Sequence, residues 1–134
     1  MSDLSEMILP CLFVAGTPEK GRGVFTAEDL GKMTVIEMSP VIVMPKQERA
    51  MLDKTLLYHY IFEWGVKRDK CCMALGYVAL YNHSYMSNCE YEMDYDNDII
   101  SIKTVRPIKA GEELTINYNG KWNNQSKVWF DVKD

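Results

Sequence analysis

With 134 residues the chain has the length of one domain, enough to bury a hydrophobic core without disulfide or metal support. Its 47% apolar and 25% charged residues are those of an ordinary soluble globular protein, and a net charge of −4 gives no basic footprint for nucleic acid. No apolar run reaches the ~18 residues of a membrane span, and the acidic start MSDLSEMILP lacks the features of a secretory signal. The expectation is a cytoplasmic protein whose mildly acidic character suits a cationic partner such as a lysine-rich segment.

In chain order the pattern is mostly short strands separated by turn signals. Residues 9–16, ending at Gly16, read as a strand, and Thr17-Pro18-Glu19-Lys20-Gly21 as a turn. Val24 and Phe25 follow a pair of glycines, and residues 29–32 turn the chain again. Thr34 to Glu37 and Val41 to Met44 are β-rich runs, with Pro40 and Pro45 punctuating them. From Lys46 the period changes, because Met51, Leu52, Thr55, Leu56 and Tyr60 can share one helix face. That helix ends near Leu57, or the segment passes into a strand from Tyr60 to Trp64. Cys71 to Leu75 is a further strand. Cys89 to Val105 is a hairpin turning at Asp96-Asn97-Asp98, and Glu113 to Tyr118 is a last strand. The tail carries Trp122, Trp129 and Phe130, which is too aromatic for a disordered linker.

The four cysteines (Cys11, Cys71, Cys72 and Cys89) form no CxxC pair, so the spacing suggests neither a zinc site nor a redox motif. Buried free thiols are the simplest reading. Adjacent Cys71 and Cys72 would point to opposite faces of a strand. The acids Glu90, Glu92, Asp94, Asp96 and Asp98 alternate with Tyr91, Met93 and Tyr95. In a regular strand they line one face, either a solvated exterior or an acidic rail for a basic peptide.

Three segments stand out in order: Lys20-Gly21-Arg22-Gly23-Val24-Phe25, then Tyr81-Asn82-His83-Ser84 followed by Asn88-Cys89, then Gly111-Glu112-Glu113-Leu114-Thr115-Ile116-Asn117-Tyr118. Each alone is weak; together, in this order, they resemble the signature motifs of SET-domain methyltransferases. The resemblance spans residues 16–121, with an aromatic tail at 122–134, and its compactness is similar to the minimal viral and bacterial SET proteins. It implies a mainly β fold of small curved, β-clip-like sheets, with one or two short helices and a knot-like threading of the C-terminal strand beneath the Asn82-His83 loop. It also implies one domain over 1–134 that transfers a methyl group from S-adenosyl-L-methionine to a protein lysine.

The same resemblance assigns residues. Gly21, Arg22 and Gly23 would approach the cofactor, with Arg22 near its carboxylate, and Asn82 and His83 would contact its amino-acid and adenine ends. Tyr118 would stand beside the transferring methyl and the lysine nitrogen, touching both, and Tyr60 would be a second channel tyrosine. Trp122 would fold over the cofactor and channel. His59 lies outside any motif and reads as structural. Departures are the lack of cysteines after Cys89, which gives an expectation of no zinc, and Ile116 at a position often aromatic, which would leave room for higher methylation. Alternatives are an inactive SET module that binds cofactor or a lysine-rich peptide, and a self-associating domain. The tail aromatics suggest a homodimer. A histone substrate would place the protein in a nucleus, its own or a host's.

Overall fold

The computed structural model describes residues 6–120 and 125. Ten strands carry the fold: β1 (Met7–Ile8), β2 (Leu12–Thr17), β3 (Gly21–Thr26), β4 (Val35–Met44), β5 (Ile61–Trp64), β6 (Lys70–Ala74), β7 (Asn82–His83), β8 (Cys89–Asp94), β9 (Ile99–Thr104) and β10 (Glu113–Ile116). One α-helix, α1 (Lys46–Leu52), and two 3₁₀ turns at Leu56–His59 and Val78–Leu80 complete it. The mainly β architecture expected from the sequence is the one observed.

The strands form two sheets. One has the order β5-β6-β4-β9-β8, with β1 added to β4; the other has the order β2-β3-β10-β7. Their inner faces share a core in which Val24, Ile36, Ile100, Ile102, Leu114 and Ile116 are fully buried. Alternation along β9 and β10 produces this core, since every second residue of a strand points inward.

Several sequence expectations shift by a local cause. The strand read over 9–16 is interrupted by a turn at Leu9–Leu12, so β1 pairs with β4 and β2 with β3. Pro40 does not divide two strands. It lies inside β4 where that strand changes partners, from β9 along Val35–Pro40 to β6 along Val41–Met44. At the handover the missing proline N–H is tolerated, and the Pro40 carbonyl still accepts the Leu75 amide at 3.0 Å. The helix stops at Leu52 and buries none of its side chains, with Met51 and Leu56 exposed. What holds it is Arg49, which donates to the Arg68 and Lys70 carbonyls and to Glu63. The last strand ends at Ile116 rather than Tyr118.

The acidic alternation is also shorter than a strand from Glu90 to Asp98. β8 ends at Asp94, whose carboxylate caps the turn by accepting the Asp96 and Asn97 amides and the Asn97 side chain. The Asn97 side chain, above all, holds the Asp94 carboxyl below its ordinary range. Asp98 then takes a left-handed conformation (φ 54°) as the turn closes. Cys71 and Cys72 do face opposite sides of β6, one towards a surface cleft and one into the core. Cys71, Cys72 and Cys89 are buried, Cys11 partly so, and all four are free thiols. Burial pushes the Cys72 and Cys89 thiols up to about 12, which leaves them unreactive.

One glycine carries unusual weight. Gly76 has φ +67°, and a Cβ there would run into the Glu37 carboxylate and the Ser39 hydroxyl. Gly76→Ala is therefore expected to destabilise the protein by roughly 2–4 kcal/mol, combining left-handed strain with a buried collision. Urea denaturation checks this, as a lowered midpoint at constant slope.

Candidate active site

The sheet β2-β3-β10-β7 brings the three signature segments together. β10 pairs antiparallel with β3 (Glu113 with Phe25, Leu114 with Val24) and parallel with β7 (Thr115 with Asn82, Ile116 with His83). The stretch 82–88 grips β10 further. The Ser84 amide donates to the Ile116 carbonyl at 3.0 Å, while buried Asn88 exchanges hydrogen bonds with the Glu113 carbonyl and the Thr115 amide, each at 2.9 Å. Asn88 thus completes the edge of β10 as a strand would. Asn117, fully buried, donates to the Tyr85 carbonyl and accepts the Asn119 amide. These bonds tie the loop that follows β7 to both ends of β10.

At the mouth of the β2–β3 hairpin lies a polar cradle. Thr17 closes the hairpin by donating to the Gly21 carbonyl and accepting the Lys20 amide, each at 2.8 Å, and Gly21 takes φ +73°. Asn82 donates to the Arg22 carbonyl at 3.1 Å and to Glu113 Oε2 at 2.7 Å. Glu113 Oε1 pairs with Lys20 Nζ at 2.7 Å. A Cβ on Gly23 would sit 2.5 Å from Glu113 Oε2 and 2.9 Å from Asn82 Nδ2, so only glycine lets these groups close over the hairpin. The Arg22 side chain is exposed.

Tyr118 joins this cradle to a second feature. Its amide donates to His83 Nδ1 at 3.0 Å and its hydroxyl to the Tyr81 carbonyl at 2.7 Å. Its side chain also lines a cleft of about 740 Å³ together with Tyr60, Phe62, Tyr91, Glu92 and His59. Burial first, then the charge of Glu113 and the neighbouring Tyr60, push the Tyr118 hydroxyl up to about 12. It is a neutral hydrogen-bonding group throughout the physiological range.

The predicted residues divide accordingly. Gly21, Arg22, Gly23 and Asn82 surround the cradle, and Tyr118 and Tyr60 share the cleft. His83 is only 3% exposed, packed edge-on against Tyr85 and committed through Nδ1 to the Tyr118 amide. It latches Tyr118 and offers little surface to a ligand. Ile116 is fully buried in the core, away from the cleft wall. His59 stacks edge-on with Tyr58 at the cleft rim. Of the acidic alternation only Glu92 lines the cleft; Glu90 faces Lys103 across the strands. Trp122, Trp129 and Phe130 lie outside the described residues. Among the described residues no group of three or more His, Cys, Asp or Glu could hold a metal ion, and no helix is long and apolar enough to cross a membrane.

Sequence reasoning missed Glu113, Lys20 and Tyr91. Glu113 had a signal: on a strand where Leu114 and Ile116 face the core, Glu113 and Thr115 must share the other face, beside the glycine hairpin. Tyr91, whose hydroxyl donates to the Tyr118 carbonyl at 3.4 Å, had none.

Comparison with known proteins agrees with this geometry. The SET-domain family model matches residues 21–119. A histone-lysine N-methyltransferase of Schizosaccharomyces pombe, specific for H3 lysine-37, is 36% identical over 121 residues, covering 90% of this chain and 77% of that protein. The Halocynthia roretzi histone-lysine N-methyltransferase SETD7 is 33% identical over 67 residues, 47% of this chain and 17% of that one. Among solved structures, a candidate histone methyltransferase of Plasmodium falciparum superposes with a TM-score of 0.65 at 26% identity, covering 86% of this chain and 98% of that one. A PRC2 complex with H3K27me3 and H3K27M matches in fold alone, with a TM-score of 0.69 at 19% identity, over 82% of this chain and 14% of that one. With its signature segments joined in one sheet and the family model spanning them, the chain belongs to the SET-domain family of protein-lysine methyltransferases.

Proposed function

We propose that the methyl donor is S-adenosylmethionine, that the cradle at Lys20–Gly23, Asn82 and Glu113 holds it, and that the acceptor lysine enters the cleft containing Tyr118 and Tyr60. The observation that carries this is the position of Tyr118, whose backbone is tied to the signature loop while its ring lines the cleft. When bound, the donor supplies an activated methyl group on a sulfonium centre. The residues present fit such a group: Gly21 and Gly23 open the hairpin backbone, Lys20 and Arg22 bring positive charge for a carboxylate, and Asn82 and Glu113 bring hydrogen-bonding groups for an ammonium. Trp122 is assigned to the cofactor side by family resemblance.

The chain's own part in the reaction is positioning. A lysine ammonium has no lone pair, so the amine must be neutral when it reacts, and Tyr60, Phe62 and Tyr91 give the cleft aromatic faces along which its side chain can lie. The same ring faces attract the cation as it arrives. Tyr118 keeps its proton, so its hydroxyl orients the amine lone pair and does not receive the lysine proton. Asp53, Glu63 and Glu92 line the cleft against Arg49 and Arg68, an excess of one acid that suits a basic segment. On that charge, and on the specificity of the fission-yeast relative, histone H3 is the first substrate to test, with a nuclear location to match. We assign the whole activity to one unit over residues 1–134.

Three outcomes follow from this reading. Tyr118→Phe should lower kcat for methyl transfer to histone H3 on the order of 10²-fold, with the cofactor Kd little changed, by radiolabel transfer and calorimetry. Gly23→Ala should weaken S-adenosylmethionine binding by about tenfold or more, as its methyl displaces Glu113 and Asn82 from the cradle. The rate should rise with pH as the substrate lysine loses its proton, and this limb should survive in Tyr118→Phe, because the Tyr118 hydroxyl titrates only near 12. Loss of the limb in that variant would make Tyr118 the base.

A further inference from the structure

Glu37 is a carboxylic acid with no exposed surface, on the inward face of β4. A bulge between Val35 and Glu37 in the pairing with β9 aims it there, so that Ile36 and Glu37 are both buried. Among the described residues no cation forms an ion pair with it. Burying a carboxyl group without a cation is costly, and burial pushes its pKa up despite the surrounding donors.

Its hydrogen bonds reach one segment in particular. Glu37 Oε2 accepts the Ser39 hydroxyl at 2.6 Å and the Tyr77 amide at 2.8 Å. Glu37 Oε1 accepts the Tyr81 hydroxyl at 2.7 Å. Tyr81 is 1% exposed, and its own backbone carbonyl receives the Tyr118 hydroxyl at 2.7 Å. The carboxylate therefore holds residues 77 to 81 at both ends, directly before Asn82 and His83. Gly76 permits this, since any side chain there would strike Glu37.

We propose that Glu37 is a positioning residue for methyl transfer, acting through Tyr81 to set the carbonyl that orients the Tyr118 hydroxyl. Tyr81 works from both ends: its ring hydroxyl is fixed by Glu37, and its carbonyl fixes Tyr118. Removing the first bond frees the second to drift, and small displacements of an orienting group reduce turnover without removing binding contacts. Asn82 of the cradle is fixed independently, by its pairing with Thr115 and its bonds to the Arg22 carbonyl and Glu113, so cofactor affinity should change far less than turnover.

This inference rests on the assignment of Tyr118 to the reaction, and one set of variants separates the two. Tyr81→Phe removes a single hydroxyl, and Glu37→Gln replaces one acceptor oxygen with an amide at nearly constant shape. Both would be assayed with histone H3 and S-adenosylmethionine beside Tyr118→Phe, with thermal melts and cofactor calorimetry. The expected result is a fall in kcat of about tenfold or more for each, with KM and cofactor Kd within about twofold. The double variant Glu37→Gln/Tyr81→Phe should lose less than the two singles combined, because both weaken the shared Glu37–Tyr81 bond. Lowered melting temperatures with kcat retained in Tyr81→Phe and Glu37→Gln, while Tyr118→Phe is inactive, would reduce Glu37 to a structural residue. An active Tyr118→Phe would overturn the assignment of Tyr118 and this proposal with it.

Discussion

The short parallel pairing of Thr115 and Ile116 with Asn82 and His83 is the constraint on which the rest of the site depends. β10 is otherwise a hairpin-like neighbour of β3, carrying Glu113 beside the glycines of the β2–β3 turn. The parallel contact on its other edge brings in Asn82, which spans from Glu113 to the Arg22 carbonyl, and His83, which receives the Tyr118 amide. Two residues of pairing thus join three segments distant in sequence. So short a ladder would be weak alone. Asn88 and Ser84 extend it with side-chain and backbone bonds to the same strand, which is why this loop is rich in small polar residues.

Around that junction the chain divides its chemistry by environment. The cradle keeps its charges paired and part-exposed, with Lys20 against Glu113, so it can exchange these partners for those of a charged ligand. The cleft mixes aromatic rings with charged groups at Arg49, Asp53, Glu63, Arg68 and Glu92, and the Tyr118 hydroxyl is neutral because it is buried. Behind both lies the sealed carboxylate of Glu37, bonded to the segment that leads into the signature loop. Buried polar groups of this kind rigidify a site when every member has a partner, and they become liabilities when one partner is removed.

The motif residues were legible because their chemistry dictates their type. Two glycines at a hairpin mouth, an Asn-His pair and a tyrosine after the last strand were identified by resemblance, and the folded chain brings them together. Strand alternation was legible too, in the β8–β9 hairpin and in β10. What escaped was decided by tertiary context. Pro40 looked like a boundary, but a strand shared between two partners can place a proline at the changeover. Met51 and Leu56 of the helical stripe stay exposed and the helix stops at Leu52, so periodicity overstated the helix. The turn at Asp96-Asn97-Asp98 was legible, whereas the acidic alternation stops at Asp94 because Asx bonding there competes with the ladder. Glu37, alone among β-formers, gave no sign of being inward, because a bulge and not the alternation turns it there. His83, read as a ligand-binding residue on its motif, is buried and accepts the Tyr118 amide.

The most direct test of the account is a crystal structure of the protein with S-adenosylhomocysteine. The account predicts the ligand against the backbone of Gly21–Gly23 and the side chain of Asn82, its sulfur directed towards the Tyr118 hydroxyl, and the cleft of Tyr60 and Tyr91 open for a lysine. A ligand bound away from this hairpin, or a sulfur out of reach of Tyr118, would contradict it.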